Sequence, residues 1–179
     1  MARENINTRE FWDKRWSAGG TLSRQCEKAI MRLVPEDHLS VLDIGCGSGR
    51  ILRGLRKDRK AKVFGMDISQ VAINSLKRHG IPGLAVDAED FSDKTKYDVI
   101  ILSHTLEHIS DDIQLIKKVA ANTRKYLIVA VPNDTMGPEE EPEHMRVYTK
   151  ESLTTLLSKY FKSVEDHSVG IHLILKAYA

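Results

Sequence analysis

The chain has 179 residues, of which 41% are hydrophobic and 29% charged, and its formal net charge is +2. This length predicts one domain that can bury a full core, and so small a charge gives no whole-molecule argument for nucleic-acid binding. Cys26 and Cys46 are the only cysteines and have no CxxC spacing, which argues against a disulfide framework and a zinc ribbon.

The N-terminal segment is polar and charged, and no apolar run reaches membrane-spanning length. We therefore expect a cytoplasmic protein without a membrane span. Trp12 and Trp16 lie four residues apart, so they share one face of a predicted helix. The two indoles predict a helix pinned to the body of the protein, and a lid over a ligand site is compatible with that contact.

A second helix is predicted over residues 22–34 and ends at Pro35. Its buried stripe is expected to consist of Leu22, Cys26, Ala29, Ile30 and Leu33. From residue 40 onward, predicted strands alternate with predicted helices. The strands are Ser40–Ile44, Lys62–Ile68, Leu84–Val86, Tyr97–Ser103, Tyr126–Val131, Ser163–Ser168 and His172–Tyr178. The helices are Arg50–Lys57, Gln70–His79 between Ser69 and Gly80, Asp112–Asn122, and a last one that follows Thr149 and carries Leu153, Leu156, Leu157 and Tyr160 on one face.

The strands around Val99 and Leu127 are continuously apolar, which is typical of parallel strands covered by helices on both faces. Strands and helices in alternation predict a doubly wound α/β fold. The short turn at Val169 and Gly170 predicts that the last two strands form an antiparallel hairpin at one edge of the sheet.

One turn stands out between the first strand and the helix that follows it. Gly45, Gly47 and Gly49 occupy every second position, and residues without a Cβ let a ligand lie against the backbone. A dinucleotide site reads G-x-G-x-x-G, whereas this chain has Arg50 where that site needs glycine. No Gly-Lys-Ser/Thr follows, which excludes a phosphate-binding P-loop.

Asp67 ends the second predicted strand, beside the glycine turn at the carboxyl edge of the sheet. A carboxylate at this place can accept both hydroxyls of a ribose. We identify no structural role for an acid in mid-fold without a nearby cation. Together, the turn and Asp67 predict an adenosine-containing ligand with free ribose hydroxyls.

Four segments then resemble, in order, the motifs of class I S-adenosylmethionine-dependent methyltransferases. These segments are Val41–Arg50, Gly65–Ser69, Val86–Ala88 and Tyr97–Ile109. The pattern of these motifs is most similar to that of the small-molecule branch that includes the ubiquinone and menaquinone methyltransferases. The resemblance covers residues 9–179. It implies a Rossmann-like sheet of about seven strands, mostly parallel, with helices on both faces. It also implies one methyltransferase domain over residues 1–179, with residues 1–35 as a helical lid and 133–149 as a substrate-side loop.

The resemblance further implies where S-adenosylmethionine binds. Asp43, Gly45 and Gly49 would lie along its methionine half, with Gly47 permitting close approach and Cys46 in the same turn. Asp67 would accept from the ribose hydroxyls, and Met66 or Ile68 would pack on the adenine. Asp87 would accept from the adenine amine, Ala88 would donate from its backbone, and Ser103 would lie near the sulfonium. Two alternatives stay open, namely that Asp43 only caps the following turn and that Cys46 is a reactive thiol.

The candidate catalytic residues are His104, Glu107 and His108, which follow the fourth predicted strand. His144 and Glu143 lie in a later acidic loop and could approach them. They have three interpretations. They shape the pocket through hydrogen bonds to loop backbone; or His108 or His104 is a general base; or His104, Glu107, His108 and His144 bind a divalent metal. Methyltransferases of RNA 3′ ends and of quinone precursors use a comparable set, but they have Glu at the position of His104, so no metal is expected.

The expected function is transfer of a methyl group to an oxygen, nitrogen or carbon nucleophile of a small molecule. The alternatives are a non-catalytic S-adenosylmethionine-binding or regulatory protein and a metal-assisted methyltransferase of an RNA end. The basic run between Arg50 and Lys62 is interpreted as a solvated helix face at the opposite end of the sheet. Glu139 to Glu143 predict a negative substrate mouth, so nucleic acid is not expected as a partner. The sequence does not indicate an oligomeric state.

Overall fold

The computed structural model describes residues 5–19, 23–34, 36–37, 39–92, 94–133 and 136–179. Over these residues the helices are α1 Arg9–Ser17, α2 Arg24–Arg32, α3 Arg50–Arg59, α4 Gln70–Arg78, α5 Asp112–Asn122 and α6 Lys150–Leu157. The strands are β1 Ser40–Ile44, β2 Lys62–Asp67, β3 Gly83–Ala85, β4 Tyr97–Ser103, β5 Thr123–Pro132, β6 Ser163–Asp166 and β7 His172–Tyr178.

The seven strands form one sheet in the order β3-β2-β1-β4-β5-β7-β6. The first five are parallel, whereas β7 is antiparallel to both β5 and β6. This arrangement confirms the predicted mostly parallel sheet with a C-terminal antiparallel hairpin. Strand β1 lies between β2 and β4. The chain therefore adds β2 and β3 on one side of β1 and then crosses over to add β4 and β5 on the other side. Ligands of open α/β sheets bind at the carboxyl ends of strands around such a switch point.

Two apolar cores lie on opposite faces of the sheet. Alternate residues of a strand point to opposite faces, so Val41 packs with α2, α3 and α4, whereas the adjacent Leu42 packs with α5 and α6. Residues 99–102 of β4 and 127–131 of β5 are fully buried and alternate between the two cores. The structure therefore confirms helices on both faces and explains the continuous apolar runs.

Several element boundaries differ from the predicted ones. Helix α3 runs two residues further, because Lys60 adopts a left-handed conformation (φ 52°) and ends it. Strand β5 begins at Thr123, directly after α5, where it pairs with Tyr97 of β4. Helix α6 ends at Leu157, so Tyr160 lies in the following turn, half-buried against the core. Smaller differences are β2 ending at Asp67, α4 at Arg78 and β6 at Asp166, and β3 beginning at Gly83.

Helix α2 carries only part of its predicted stripe into the core. Cys26 and Ile30 are fully buried, whereas Ala29 and Leu33 are half-buried at its edge. Leu22 and Pro35 lie outside the described residues. Of the helices in the described residues, none is long and apolar enough to cross a membrane.

Candidate functional site

The glycine turn connects β1 to α3 and is held against β2. The backbone N–H groups of Gly45 and Cys46 both donate to the carbonyl of Met66, at 2.7 and 2.9 Å. Gly45, Gly47 and Gly49 have φ of 76°, 53° and 76°, a region that favours glycine. A Cβ at Gly45 would collide with the side chain of Thr105, and one at Gly47 would collide with the ring of Trp16. The turn therefore has the positive-φ backbone expected from its glycines, and side chains of the protein itself pack against Gly45 and Gly47.

Asp67 braces this turn. One of its carboxylate oxygens accepts from the N–H of Gly47 and the other from the N–H of Ser69, both at 2.8 Å. The expectation that Asp67 lacks a structural role is therefore wrong. Burial raises the pKa of Asp67 to about 6, although the two backbone bonds act to lower it. Each carboxylate oxygen has a second lone pair, so Asp67 can still accept hydrogen bonds from a ligand in the pocket that it lines.

Asp43 and Ser103 end neighbouring strands and face a larger pocket beside the turn. Both are buried, and among the described residues Oδ1 of Asp43 and Oγ of Ser103 have no hydrogen-bond partner. Burial raises the pKa of Asp43 well above its usual range, and the nearby charge of Asp67 adds to this rise. A buried polar atom without a partner is costly, so these two groups are ready to meet a polar ligand.

A smaller pocket on the other side of the turn brings Ile68, Asp87 and Ala88 together with Asp67. Asp87 Oδ1 accepts from the N–H of Glu89 at 2.9 Å and starts a short 3₁₀ turn, Ala88–Asp90. Residues that follow two neighbouring strands, β2 and β3, thus line the pocket in which the adenosine half of the predicted cofactor would lie.

Two residues of the glycine turn are placed differently from the others. Gly49 is the N-cap of α3 and lies against Leu76, and it is not among the residues that line either pocket. The thiol of Cys46 lies beside Gly65 and the Gly47 carbonyl, and burial raises its pKa well above the usual range. A buried thiol with a raised pKa is a poor nucleophile, which argues against the reactive-thiol interpretation of Cys46.

His104 directly follows β4 in a left-handed conformation, with φ of 49°. Its Nδ1 lies 3.3 Å from Oε1 of Glu107. Its Nε2 lies 3.1 Å from Nδ1 of His172 and 3.8 Å from Sγ of Cys26. Burial acts to lower the pKa of His104, but Cys26 and Glu107 outweigh it and raise that pKa to about 10. Both ring nitrogens of His104 are therefore occupied by neighbours.

Glu107, His108 and His144 form a second group beside the first. Glu107 is fully buried, with Oε1 facing Nδ1 of His104 at 3.3 Å, and within the described residues neither carboxylate oxygen has a partner that meets full hydrogen-bond geometry. His108 Nδ1 lies 3.1 Å from the carbonyl of Glu143, and His144 Nδ1 lies 2.6 Å from the carbonyl of Met136. A carbonyl only accepts, so each Nδ1 donates to it and the lone pair of a neutral ring would lie on Nε2.

Helix α1 lies over the pockets, although it has no buried residue. Trp12 contacts the ring of His108 edge-on at 4.9 Å between centroids, and Trp16 covers Gly47. Asp13 accepts from the hydroxyl of Ser69 at 2.6 Å and from the N–H of Val71 at 3.0 Å. The expected contact of both indoles with the body of the protein is therefore present, and it is made at the site.

The charge around the larger pocket is mixed. Glu141 and Glu143 line it, but so do Arg15 and Arg50. Arg15 Nη1 lies 3.5 Å from Glu143, and Arg50 Nε lies 2.8 Å from the carboxylate of Glu27. The negative charge predicted around the substrate entrance is therefore partly neutralised by these arginines. Arg50 also differs from the expectation that the basic residues between Arg50 and Lys62 lie at the far end of the sheet, because it lines the pocket.

Sequence reasoning assigned no role in the site to Cys26 or His172, which the fold brings to His104. Neither has a local motif that could have drawn attention to it. The available signal was topological, because β7 lies beside β5 and so begins at the edge where β5 ends.

Comparisons with known proteins identify the family. A family model described as a methyltransferase domain matches residues 19–160. The ubiquinone biosynthesis O-methyltransferase of Bartonella quintana is 35% identical over 86 residues, which are 44% of this chain and 34% of that protein. Its counterpart in Bradyrhizobium diazoefficiens is 32% identical over 104 residues, or 55% of this chain and 41% of that protein. The chain thus spans well under half the length of these curated relatives.

Solved structures share the fold. The magnesium protoporphyrin IX methyltransferase of Synechocystis, crystallised with S-adenosylhomocysteine, superimposes with a TM-score of 0.76 at 17% identity, covering 95% of this chain and 96% of that one. The 1,6-didemethyltoxoflavin-N1-methyltransferase of Burkholderia thailandensis gives 0.73 at 15% identity, covering 95% and 86%. At these identities the likeness shows the fold alone. Because the methyltransferase domain model matches well over half of the chain, the protein belongs to the methyltransferase domain family.

Proposed function

We propose that this protein is an S-adenosylmethionine-dependent methyltransferase that methylates an oxygen, nitrogen or carbon nucleophile of a small molecule. The observation that carries the proposal is the convergence of three strand-end acids, Asp43, Asp67 and Asp87, around a glycine turn with no room for side chains. Asp67 and Asp87 can accept from ribose hydroxyls and an adenine amine, whereas Arg50 stands where the pyrophosphate turn of a dinucleotide site needs glycine.

In this proposal the cofactor spans both pockets. Asp67 accepts from the ribose hydroxyls and Ile68 packs against the adenine. Asp87 and Ala88 meet the adenine edge. Asp43, Ser103 and the backbone of Gly45 to Gly47 surround the methionine half. The unpartnered oxygens of Asp43 and Ser103 would then gain the hydrogen bonds that they lack within the described residues.

Methyl transfer from a sulfonium requires an aligned nucleophile, exclusion of water and, for a hydroxyl or amine, a proton acceptor. His104 is poorly suited to be that acceptor because both of its nitrogens face other groups. His108 is better suited, since its Nδ1 faces a carbonyl and its Nε2 stays available. We therefore assign the base role to His108, with Glu107 and His144 positioning the ring and α1 covering the reacting atoms.

Isothermal titration with S-adenosylmethionine and S-adenosylhomocysteine tests the cofactor. We expect both to bind, and Asp67→Ala to weaken binding by roughly a hundredfold, since it removes charged hydrogen bonds and loosens the turn. The exposed Asp58→Ala is the matched control and should bind like the unchanged protein. Preferential binding of a dinucleotide would overturn the proposal.

A turnover assay distinguishes a catalyst from a non-catalytic binder. The protein is incubated with S-adenosylmethionine and a panel of phenols, amines and quinone precursors, and the release of S-adenosylhomocysteine is measured. The naming of the curated relatives as O-methyltransferases makes phenolic hydroxyls the first group to screen. Turnover that is lost in His108→Gln while cofactor binding remains would support the base role. Cofactor binding without any turnover would instead favour the regulatory protein.

One observation favours a metal-assisted variant of the reaction as a second candidate. Ligand atoms of Glu107, His108 and His144 lie within 4.8 Å of one another, and two imidazoles with a carboxylate suit a divalent ion. These three residues would hold the ion, which would supply a positive charge for the acceptor. Full turnover after chelation, with no metal found by elemental analysis, would exclude this candidate.

A further inference from the structure

Three buried or partly buried ligand groups meet beside the larger pocket, and two of them, Cys26 and His172, have no role in the sequence motifs or in the proposed function. Cys26 comes from α2, His104 from the end of β4, and His172 from the start of β7. Cys26 and His172 are 0% and 6% exposed. One ligand atom from each of the three lies within 4.8 Å of the other two. We propose that Cys26, His104 and His172 form a binding site for a zinc-class transition-metal ion.

The distances between the three groups support this site. His104 Nε2 lies 3.1 Å from His172 Nδ1 and 3.8 Å from Cys26 Sγ. In a tetrahedral zinc site, bond lengths of about 2.05 Å to nitrogen and 2.3 Å to sulfur place two nitrogens about 3.3 Å apart and a nitrogen and a sulfur about 3.6 Å apart. Both observed separations match these values to within a few tenths of an ångström.

The orientation of His104 supports the same conclusion. Histidines that bind metals through one ring nitrogen usually donate from the other to a carboxylate, which fixes the ring. Here Nδ1 of His104 lies 3.3 Å from buried Glu107, and Nε2 points to Cys26 and His172. The left-handed backbone of His104 is unfavourable for a residue with a side chain. Such strain persists where a function requires the geometry.

A shared proton is the competing explanation of this contact. Without an ion, Nε2 of His104 could accept from Nδ1–H of His172, with the thiol of Cys26 as a second, weaker donor at 3.8 Å. A cation placed between the three groups engages all of them at once. Thiolate and imidazole donors select zinc and related ions over magnesium and calcium.

The site also has a place for another ligand. Three protein ligands leave a tetrahedral ion with one open position, as in catalytic zinc sites. His104 and His172 line the larger pocket, so an ion between them lies at the wall of that pocket. The proposed metal therefore adjoins the space that the methyl acceptor would enter.

Cobalt(II) is the probe, because a cobalt–thiolate bond gives a charge-transfer absorption that nitrogen and oxygen ligands do not. The reduced, metal-stripped full chain is titrated with Co²⁺ alone. We expect about one equivalent to bind with this absorption, and Zn²⁺ to displace it. Zinc binding should also release protons, measured by calorimetry in buffers of different ionisation heat, because the thiol must ionise.

Two variants locate the ion. Cys26→Ser should abolish the charge-transfer absorption, and His172→Gln should weaken Co²⁺ binding by more than about tenfold. The half-buried His167→Gln, on the same hairpin, is the matched control and should bind normally. Circular dichroism verifies folding, and failure of Cys26→Ser to fold leaves His172→Gln as the deciding variant.

Some results would overturn the proposal. One is a full chain that binds Co²⁺ without a thiolate absorption, and another is an absorption unchanged in Cys26→Ser. Binding that is lost in His144→Gln but kept in His172→Gln would place the ion at Glu107, His108 and His144 and would also overturn it. Titration with S-adenosylhomocysteine is a separate measurement, so the cofactor proposal can fail or succeed independently.

Discussion

Asp67 illustrates how one side chain can serve both the fold and a ligand. Its two oxygens accept backbone N–H groups from the glycine turn and from the start of α4. Burial nevertheless outweighs these bonds and raises its pKa. The same carboxylate thus shapes the turn and costs folding free energy when it is ionised, and the proposed cofactor would offset that cost by hydrogen bonding to it.

The raised pKa of Asp67 predicts a pH dependence of stability. Its folded-state pKa is about 6, against about 3.9 in an unfolded chain. The folded state therefore binds the proton more tightly, and the stabilisation present below pH 4 is lost as pH rises through 6. Across this window the ligand-free protein should lose about 2–3 kcal/mol from this group.

Urea unfolding between pH 4 and 7 measures this loss. Asp67→Asn should remove this part of the pH slope, because its amide does not titrate. Asp58→Asn, which alters an exposed carboxylate, should keep the slope of the unchanged protein. Parallel slopes for the unchanged protein and Asp67→Asn would contradict the assignment.

Gly45 predicts a second effect at the scale of single residues. Alanine there must adopt a φ of 76° and would collide with Thr105, whose hydroxyl is held by the carbonyls of Ile44 and Ser103. We expect Gly45→Ala to lower the free energy of unfolding by about 3 kcal/mol or more. Gly19→Ala has a similar φ of 88° but meets no atom within 4 Å, and it should cost only about 1–2 kcal/mol. Equal losses in denaturant unfolding would show that the collision with Thr105 is relieved.

At the scale of elements, α1 and the C-terminal hairpin complete the site from opposite ends of the chain. Helix α1 contributes two indoles above the glycine turn, yet it buries no residue of its own. The hairpin inserts β7 beside β5 and thereby places His172 against His104. Elements with little buried surface open at low free-energy cost, so α1 is suited to act as a lid.

Hydrogen exchange tests the lid. With S-adenosylhomocysteine at about ten times its Kd, amides of α1 should exchange about tenfold more slowly, provided that opening requires ligand release. Asp13→Ala removes the attachment of α1 to the start of α4 and should speed exchange in the ligand-free protein. Glu10→Ala, an exposed change on the same helix, is the matched control. Identical α1 exchange with and without ligand would exclude a lid.

At the scale of the whole molecule, the sheet brings distant residues to one edge. Asp43, Asp67, Ser103 and Pro132 end or nearly end four neighbouring strands, so parallel pairing alone aligns them. Both faces of the sheet are covered by helices, which pack their apolar sides against it. The carboxyl edge therefore remains as the place where polar groups can meet a ligand.

The sequence by itself determined the elements and the nature of the turn. The signals for these features are local in the sequence. Alternating and helical patterns of apolar residues, together with caps such as Ser69, identify strands and helices, and glycines at alternate positions identify the cofactor-type loop. None of these signals requires knowledge of tertiary contacts. The same local information brought Asp43, Asp67 and Asp87 to one edge, because parallel strands all end at the same edge of a sheet.

Only the tertiary structure decided which side chains touch. It divided the predicted histidine cluster, with His104 facing Cys26 and His172 while His108 and His144 face Glu107. It also supplied Asp67 with two backbone donors and paired Arg15 and Arg50 with acids. Cys26 and His172 are 146 positions apart. A contact of that kind depends on where β7 inserts into the sheet and on the rotamer of the histidine ring. Neither of these produces a periodic pattern in the sequence.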